Sequence, residues 1–551
     1  MNRIAGLLTT GCSLALCVTQ AWAADFYVQP LQPGPVAGAP LGAVALQGTI
    51  IGTSEEETNT PTSTVTFKRL RTTVNERGNS AGKWLTTATT AQEGDGATTT
   101  TLSEPSGGTV TTTEAPVESG GEILTATDGT TDTAVVTATD GTTATTTDTA
   151  PITTVSTSGG QTWNSVADVF NSDKLRPGDR ILLMGGYHGP LSIRGVNLAG
   201  PITIAPVPGQ VAHVDSITVR SSSNINIQDL KVWASAPTSS KTFLIRTYSD
   251  TSNIVFDRMD VRAAADSGNY AQWPESAWLN KMWSGFMTDG NAITVRNSRI
   301  TGIYHGIMAL GRNNVVDSNI VDGFGGDGLR ALGDYSVVRN NRVQNCYAFD
   351  GNHDDGFQAF TVSPTGKAGA GTQYGLKLIG NKIFEWTLAT PSPLRCSLQG
   401  IGMFDGMFED LLIENNLIAV SHYHGITVTG TRKAVIRNNT VVNIDGKTGL
   451  YPWIRIDNDK DGTLSTDITL ANNLAMSLRP LPKTATNSVS TNNKVIALGS
   501  DFVSLANRDY SLSATSQAVD GALAKYAPAV DILNAARPKG KAPDIGAYET
   551  R

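Results

Sequence analysis

His305-Gly306-Ile307-Met308, Asp327-Gly328-Leu329-Arg330, Asp355-Gly356-Phe357-Gln358, Gln399-Gly400-Ile401-Gly402 and His424-Gly425-Ile426-Thr427 repeat one pattern. Each is a polar residue, a glycine, a branched or aromatic apolar residue and a variable side chain. The starts fall 22, 28, 44 and 25 residues apart, and Pro452-Trp453-Ile454-Arg455 opens a weaker sixth copy. Most are followed by a second strand that ends in asparagine, as in Ser336-Val-Val-Arg-Asn340-Asn341 and Ala434-Val-Ile-Arg-Asn438-Asn439. A period of about 20–30 residues, with short strands and no helical pattern, predicts a parallel β-solenoid. Asparagine suits the stacked turns, because its amide can bond to the coil above and it tolerates left-handed backbone. The crossover rule makes the coil right-handed. The expected class is all-β, a right-handed parallel β-helix with a Thr-rich insertion near its N-terminus.

The rest of the chain fits around this body. With 551 residues, 56 of them glycine, 39% hydrophobic and 17% charged, the chain can bury a large core and supply many tight turns. A net charge of −7 argues against phosphate-neutralising nucleic-acid binding. Residues 1–23 read as a secretory signal: a basic start, an apolar run and Ala21-Trp22-Ala23. No later run is long enough to span a bilayer, so a secreted or periplasmic protein is expected. Residues 24–51 are read as an N-terminal strand or cap. Residues 52–160, rich in Thr and Gly and acidic, are read as an insertion or linker, with Thr-Ala-Thr-Asp-Gly-Thr-Thr at 125–131 and again at 137–143. The β-helix takes 161–551. Cys346 and Cys396 remain after the signal, as one disulfide or two buried thiols. A monomer is the expected state.

Stacking turns the repeat into a site. Equivalent positions in successive coils lie ~4.8 Å apart, so His305, Asp327, Asp355, Gln399 and His424 form one column. Met308, Arg330, Gln358, Gly402, Thr427 and Arg455 form another. Carboxylates, imidazoles and guanidiniums gather there, and four of the six His (His305, His353, His422, His424) lie on or beside it. Asp327, Asp354 and Asp355 are the expected ligands of a Ca²⁺ ion, since adjacent carboxylates need a cation or a shared proton. Arg330 is the first candidate for base or carboxylate clamp, with His353, His305 and His424 as alternative bases and Arg395 entering from the loop before Gln399. Gln358, Arg455, His422 and Tyr423 are expected to touch substrate. Trp273, Trp278 and Trp283 either stack on sugar faces or pack as a plug. Asp457-Asn-Asp459-Lys-Asp461-Gly462 is a possible second Ca²⁺ loop.

Three segments carry a family resemblance. Arg176-Pro-Gly-Asp-Arg-Ile-Leu-Leu-Met-Gly-Gly-Tyr-His-Gly, then Pro201-Ile-Thr-Ile-Ala-Pro, resembles the first coil of secreted right-handed β-helix enzymes of the pectate-lyase-like superfamily. Pro543-Asp-Ile-Gly-Ala-Tyr-Glu is similar to their usual ending. The resemblance implies that Asp25-Phe-Tyr-Val is the first strand, parted from its partner by the Thr-rich stretch. Asp327, Asp354 and Asp355 resemble the calcium site of family 9 pectate lyases. Gln358 stands where that family has a further carboxylate, and Gly400-Ile-Gly-Met replaces its basic coil. This implies calcium-assisted β-elimination of an acidic, uronate-containing polysaccharide. Asp354-Asp355, His422-Tyr-His424-Gly and Arg455-Ile-Asp457 are instead similar in order to polygalacturonase-type hydrolases, which implies inverting hydrolysis. A sugar epimerase and a non-catalytic glycan-binding surface protein are the further alternatives.

Overall fold

The computed structural model describes residues 23–31, 162–447 and 451–550, and the backbone alone of short strands between Thr62 and Ser63 at one end and Thr133–Val136 at the other. Residues 1–22 of the expected signal and most of the expected insertion lie outside the described residues. The described backbone of the Thr-rich stretch consists of antiparallel pairs, such as Thr87–Gln92 with Thr98–Ser103.

Together with Asp25–Val28, the chain from residue 162 onward winds through three long sheets of 14, 12 and 11 strands, each paired parallel and each strand joined to its counterpart one coil away. One coil runs from Val315–Asp317 in the first sheet, through Ile320–Phe324 in the second and Leu329–Ala331 in the third, to Val337–Arg339 back in the first. This is a parallel β-helix. Among the described residues no helix is long and apolar enough to cross a membrane.

Alternation explains the coil. Along each strand one side chain in two faces inward, and register then stacks like on like. In the first sheet Ile204, Ile227, Phe256, Val295, Val316, Val338, Leu378, Ile413 and Ile436 follow one another, all buried. In the third sheet the stack is Phe286, Ile307, Leu329, Phe357, Ile401, Ile426 and Ile454. The glycine of each repeat is there because space is not. A Cβ on Gly328, Gly356 or Gly425 would lie 2.4, 2.3 and 2.3 Å from Val343, Ile383 and Val441 of the second sheet.

The Asn-Asn pairs make the corner between the first two sheets. The first residue of each pair takes left-handed backbone, as at Asn340 (φ 56°), Asn415 (55°) and Asn438 (51°). The second is buried and forms a ladder. Asn341 Nδ2 donates to Asn381 Oδ1 at 3.0 Å, Asn381 to Asn416 at 3.0 Å, Asn416 to Asn439 at 2.9 Å and Asn439 to Asn473 at 2.9 Å. Each Nδ2 also bonds a backbone carbonyl of the preceding coil, so the buried amides are satisfied.

Asp25–Val28 pairs parallel with Thr162–Trp163 on one side and Arg180–Leu183 on the other, so the expected first strand sits across the Thr-rich stretch from its partners. The C-terminal segment folds back over the second sheet. Tyr510, Leu512, Ile545 and Ala547 bury Phe384, Leu417, Ala419 and Leu474. Arg537 and Glu549 pair at 2.9 Å with 1% exposure each and fasten that segment.

Candidate active site

The third sheet brings the two expected columns together. Met308, Arg330, Gln358, Gly402, Thr427 and Arg455 are register neighbours across six coils. Asp355 faces Gln399, and the backbone bonds Gly306 N–H to Asp327 O and Gly328 N–H to Asp355 O place His305, Asp327 and Asp355 on consecutive rungs. At the sixth coil the register shifts between His424 and Ile426, so Trp453 rather than Pro452 stands beside His424.

Two groups form within this face. In the first, Asp355 is fully buried, and its Oδ2 lies 3.2 Å from His353 Nδ1 and accepts Gln358 Nε2–H at 3.0 Å. The His353 side chain is 65% exposed, so the ring rests by Nδ1 on a buried carboxylate and is otherwise largely open to solvent. Burial raises the Asp355 pKa, and the hydrogen bond to Asp355 raises that of His353. Asp327, one rung away, is buried; its Oδ2 accepts from Arg330, while burial pushes its pKa up to about 6 against the pull of that guanidinium. His305 Nδ1 accepts the Asp327 backbone N–H at 2.9 Å. Burial and the nearby Arg330 and Lys241 push its pKa down to about 3. The neutral ring therefore carries its proton on Nε2 and is a donor, which disfavours it as a base.

Asp354 faces differently from its neighbour. One of its carboxylate oxygens and the sulfurs of Cys346 and Cys396 lie within 4.8 Å of one another, and those sulfurs form a disulfide. Its pKa is pushed up to about 8, chiefly by burial. Asp327, Asp354 and Asp355 therefore occupy adjacent rungs without converging on one point; among the described residues the cluster at Asp354 is with the two bonded cysteines. Three other oxygens stand out. Asp327 Oδ1, Asp355 Oδ1 and Gln399 Oε1 are buried and have no hydrogen-bond partner. They sit on three successive rungs of one column, and unpaired oxygens are the donor type that a hard cation takes.

The second group is aromatic. His422 and His424 stack at 5.2 Å, Tyr423 lies against Trp453 at 4.8 Å, and Phe404 meets His424 edge-on at 5.0 Å. Thr427 Oγ1 accepts Trp453 Nε1–H at 2.9 Å and lies 2.8 Å from His424 Nδ1. Burial, His422 and Arg455 push the His424 pKa down to about 4. Arg455 lies 5.7 Å from the Trp453 ring centroid and pairs with Asp457.

Other expected residues are placed elsewhere. Arg395 is tied to the buried Glu385 at 2.5 Å and to Asp445 at 3.0 Å, which makes it a clasp for the loop rather than a group in the column. Trp278 is fully buried and stacks on Tyr347 at 4.6 Å; Trp273 packs against it at 5.1 Å, and Trp283 Nε1 donates to Ala236 O at 3.0 Å. The tryptophan stretch is a plug, and neither Trp273 nor Trp278 offers a ring face to a glycan. In the acidic loop, Asp457 bonds Arg455 and Asp459 Oδ1 accepts the Gly406 N–H at 3.2 Å. Among the described residues Asp457, Asp459 and Asp461 do not form a cluster of ligand atoms.

The site also holds residues the repeat did not signal. Tyr304 Oη donates to Asp350 at 2.7 Å, and Lys241 pairs with Asp350 at 3.0 Å. Lys241 comes from a loop outside the repeat, which carries no periodicity that could point to it. Trp453 reaches the column through a one-residue bulge in the sixth copy of the repeat.

Residues 284–504 match the family described as right handed beta helix region. Similar solved structures include pectate lyase Pel9A, at 14% identity over 70% of this chain and 91% of that one, with a TM-score of 0.33. The Azotobacter vinelandii mannuronan C-5 epimerase AlgE4 A-module is 11% identical over 60% and 91%, with a TM-score of 0.29. A Yersinia enterocolitica family 28 exopolygalacturonase is 11% identical over 67% and 84%, also with a TM-score of 0.29. The curated proteins contain no match to this sequence.

Proposed function

We propose that this protein is an exported enzyme that cleaves an acidic, uronate-bearing polysaccharide by β-elimination. One observation carries the reading: an exposed imidazole, His353, rests on the fully buried Asp355 carboxylate, one rung from the Arg330 guanidinium. Elimination needs a base for the C5 proton, a positive partner for the C6 carboxylate and an exit for the C4 oxygen. His353 Nε2 takes the proton, and Asp355 steadies the imidazolium through Nδ1–H. Arg330 gives one N–H to Asp327 and keeps other donors for the substrate carboxylate. The C5 electron pair forms the C4–C5 double bond, the C4–O bond breaks, and the departing oxygen is protonated by solvent. Asp327 Oδ1, Asp355 Oδ1 and Gln399 Oε1 are the oxygens that would hold Ca²⁺. Bound there, the ion would add positive charge beside the substrate carboxylate and so acidify the C5 proton.

A second reading rests on Asp354. A carboxyl that keeps its proton up to about 8 beside two other carboxyls is the pairing an inverting hydrolase uses as general acid. Incubation with galacturonate, mannuronate and guluronate polymers decides between them. Elimination produces the ultraviolet absorbance of an unsaturated uronate, and hydrolysis produces new reducing ends without it. The expected result is absorbance that falls in excess chelator and returns with Ca²⁺. Full turnover in chelator would remove the ion, and no depolymerisation of any acidic polymer would remove the enzyme.

A further inference from the structure

The outer face of the second sheet carries a cavity that none of the residues above explains. It measures 460 Å³ and is lined by Arg299, Arg342 and Arg508, with no aspartate or glutamate in its wall. That is the size of a small-molecule site, many times larger than an inorganic oxyanion. Sheet register builds most of it. Arg299, Ile320 and Arg342 are consecutive neighbours across three coils, and Gln344 and Phe384 belong to the adjoining outward column. The remaining wall comes from Thr387, just past the strand Lys382–Phe384, and from the C-terminal hairpin, Phe502–Ser504 with Asp509–Leu512, whose turn holds Asn507 and Arg508. Arg508 takes left-handed backbone at the turn (φ 55°), and its Nη1 donates to Thr387 O at 2.8 Å.

The charge of this wall is only partly compensated in place. Arg299 bonds Asp322 at 2.8 Å, and Asp322 also accepts from Tyr270 and Asn345. Arg342 forms no direct ion pair among the described residues, and the Asp322 carboxylate acts on it only at longer range. Its Nε donates to Gln344, its guanidinium lies 4.7 Å from the centroid of the Phe384 ring, and burial lowers its pKa. A half-buried guanidinium that rests on a ring and an amide, with no partner for its terminal nitrogens among the described residues, is available to a planar oxyanion. Among the described residues the Arg508 guanidinium bonds one group, a neutral carbonyl. Two guanidiniums that form no ion pair among the described residues thus stand around a space whose other groups are the amides of Gln344 and Asn507, apolar Ile320 and Phe384, and Thr387, whose hydroxyl already donates to Asn345 Oδ1 at 3.0 Å.

We infer that this cavity is a second carbohydrate site, which binds an acidic oligosaccharide by pairing its carboxylates with Arg342 and Arg508. Amides and hydroxyls suit sugar hydroxyl groups, and two cations from different elements suit an anion repeated along a chain. The cavity is on the second sheet and His353 and Asp355 belong to the third, so occupancy here does not depend on their chemistry. A chain held at this face would keep a polymer on the enzyme between cleavages.

Calorimetric titration of the full-length protein with trigalacturonate, alongside maltotriose and inorganic sulfate, tests it. Arg342→Gln and Arg508→Gln should each weaken one equivalent of trigalacturonate binding at least tenfold, with melting temperatures near that of the unaltered protein. Asp355→Asn should retain that equivalent. Unchanged affinity and stoichiometry in both arginine variants would overturn the inference, as would equal affinity for maltotriose or binding of sulfate without the trisaccharide. A protein that binds here and cleaves nothing keeps this site and loses the β-elimination reading. Cleavage with both arginine variants binding normally does the reverse.

Discussion

Six histidines face six environments, and in five the ring is better off neutral. Burial lowers the pKa of His188, His213, His305, His422 and His424, whereas the Asp355 hydrogen bond raises that of His353. A base must be deprotonated to work, so kcat/KM should rise with pH through a value above the ordinary histidine pKa of about 6.5. His353→Ala should lower kcat by about 10²–10⁴ with little change in melting temperature. A pH profile in Asp355→Asn that breaks at the same place as in the unaltered protein would show that the pair is not the titrating unit. At this scale the sequence was informative about which residues gather and weak about what each one touches. Arg395 and His353 are both polar residues in a loop; the fact that Glu385 and Asp445 claim one and Asp355 orients the other is a matter of long-range packing. Asp354 and Asp355 read as a matched pair, but successive residues of an extended chain point to opposite sides, and one of them meets the disulfide.

A coil is the unit in which the fold could be read. The polar–Gly–apolar pattern supplied the register of the third sheet because every strand there is short and each glycine marks the same step. It failed by one residue at Trp453, where a bulge breaks the step between His424 and Ile426. The glycine column makes a direct test of that packing. Gly356→Ala puts a methyl group 2.3 Å from Ile383 Cγ2, inside the core, and should cost about 1–3 kcal/mol in denaturant unfolding. Replacing Asn416 by Ala removes bonds to Asn439 and to Leu378 O and leaves buried partners unmet, at about 1–3 kcal/mol. A variant with Ala at exposed Lys433 is the control. Equal stability of all three would mean that neither the glycine contact nor the amide ladder constrains the coil.

Across the whole molecule, acid and alkali act on different groups. The buried histidines have folded pKa values below the unfolded one, so their contribution is intact above about 6.5 and is lost as pH falls toward the values near 4 at His424 and 3 at His305. Asp327 and Asp354 are raised, so their contribution is fully present below the unfolded pKa of about 3.8 and is lost as pH rises through about 6 and about 8. Asp354→Asn, which mimics the protonated carboxyl, should melt higher than the unaltered protein above pH 8 in excess chelator, and the gain should vanish in acid. A gain that is the same at every pH would show that Asp354 carries no charge in the fold. The Cys346–Cys396 bond closes 50 residues around this region and, on loop-entropy grounds, contributes about 4 kcal/mol.

The strand Asp25–Val28 lies between Thr162–Trp163 and Arg180–Leu183, so the chain leaves the coil and rejoins it at the same end. A protease cut anywhere in the intervening stretch would therefore free no part of the body. It would convert the N-terminal segment into a separate peptide seated as a donor strand, held by backbone bonds, by Phe26 and Val28 in the core, and by the Asp25–Arg180 pair at 2.6 Å. Such a nicked molecule would behave as a receptor with its own ligand already bound, and the rate at which a synthetic copy of that peptide exchanges in would measure how often the end of the coil opens.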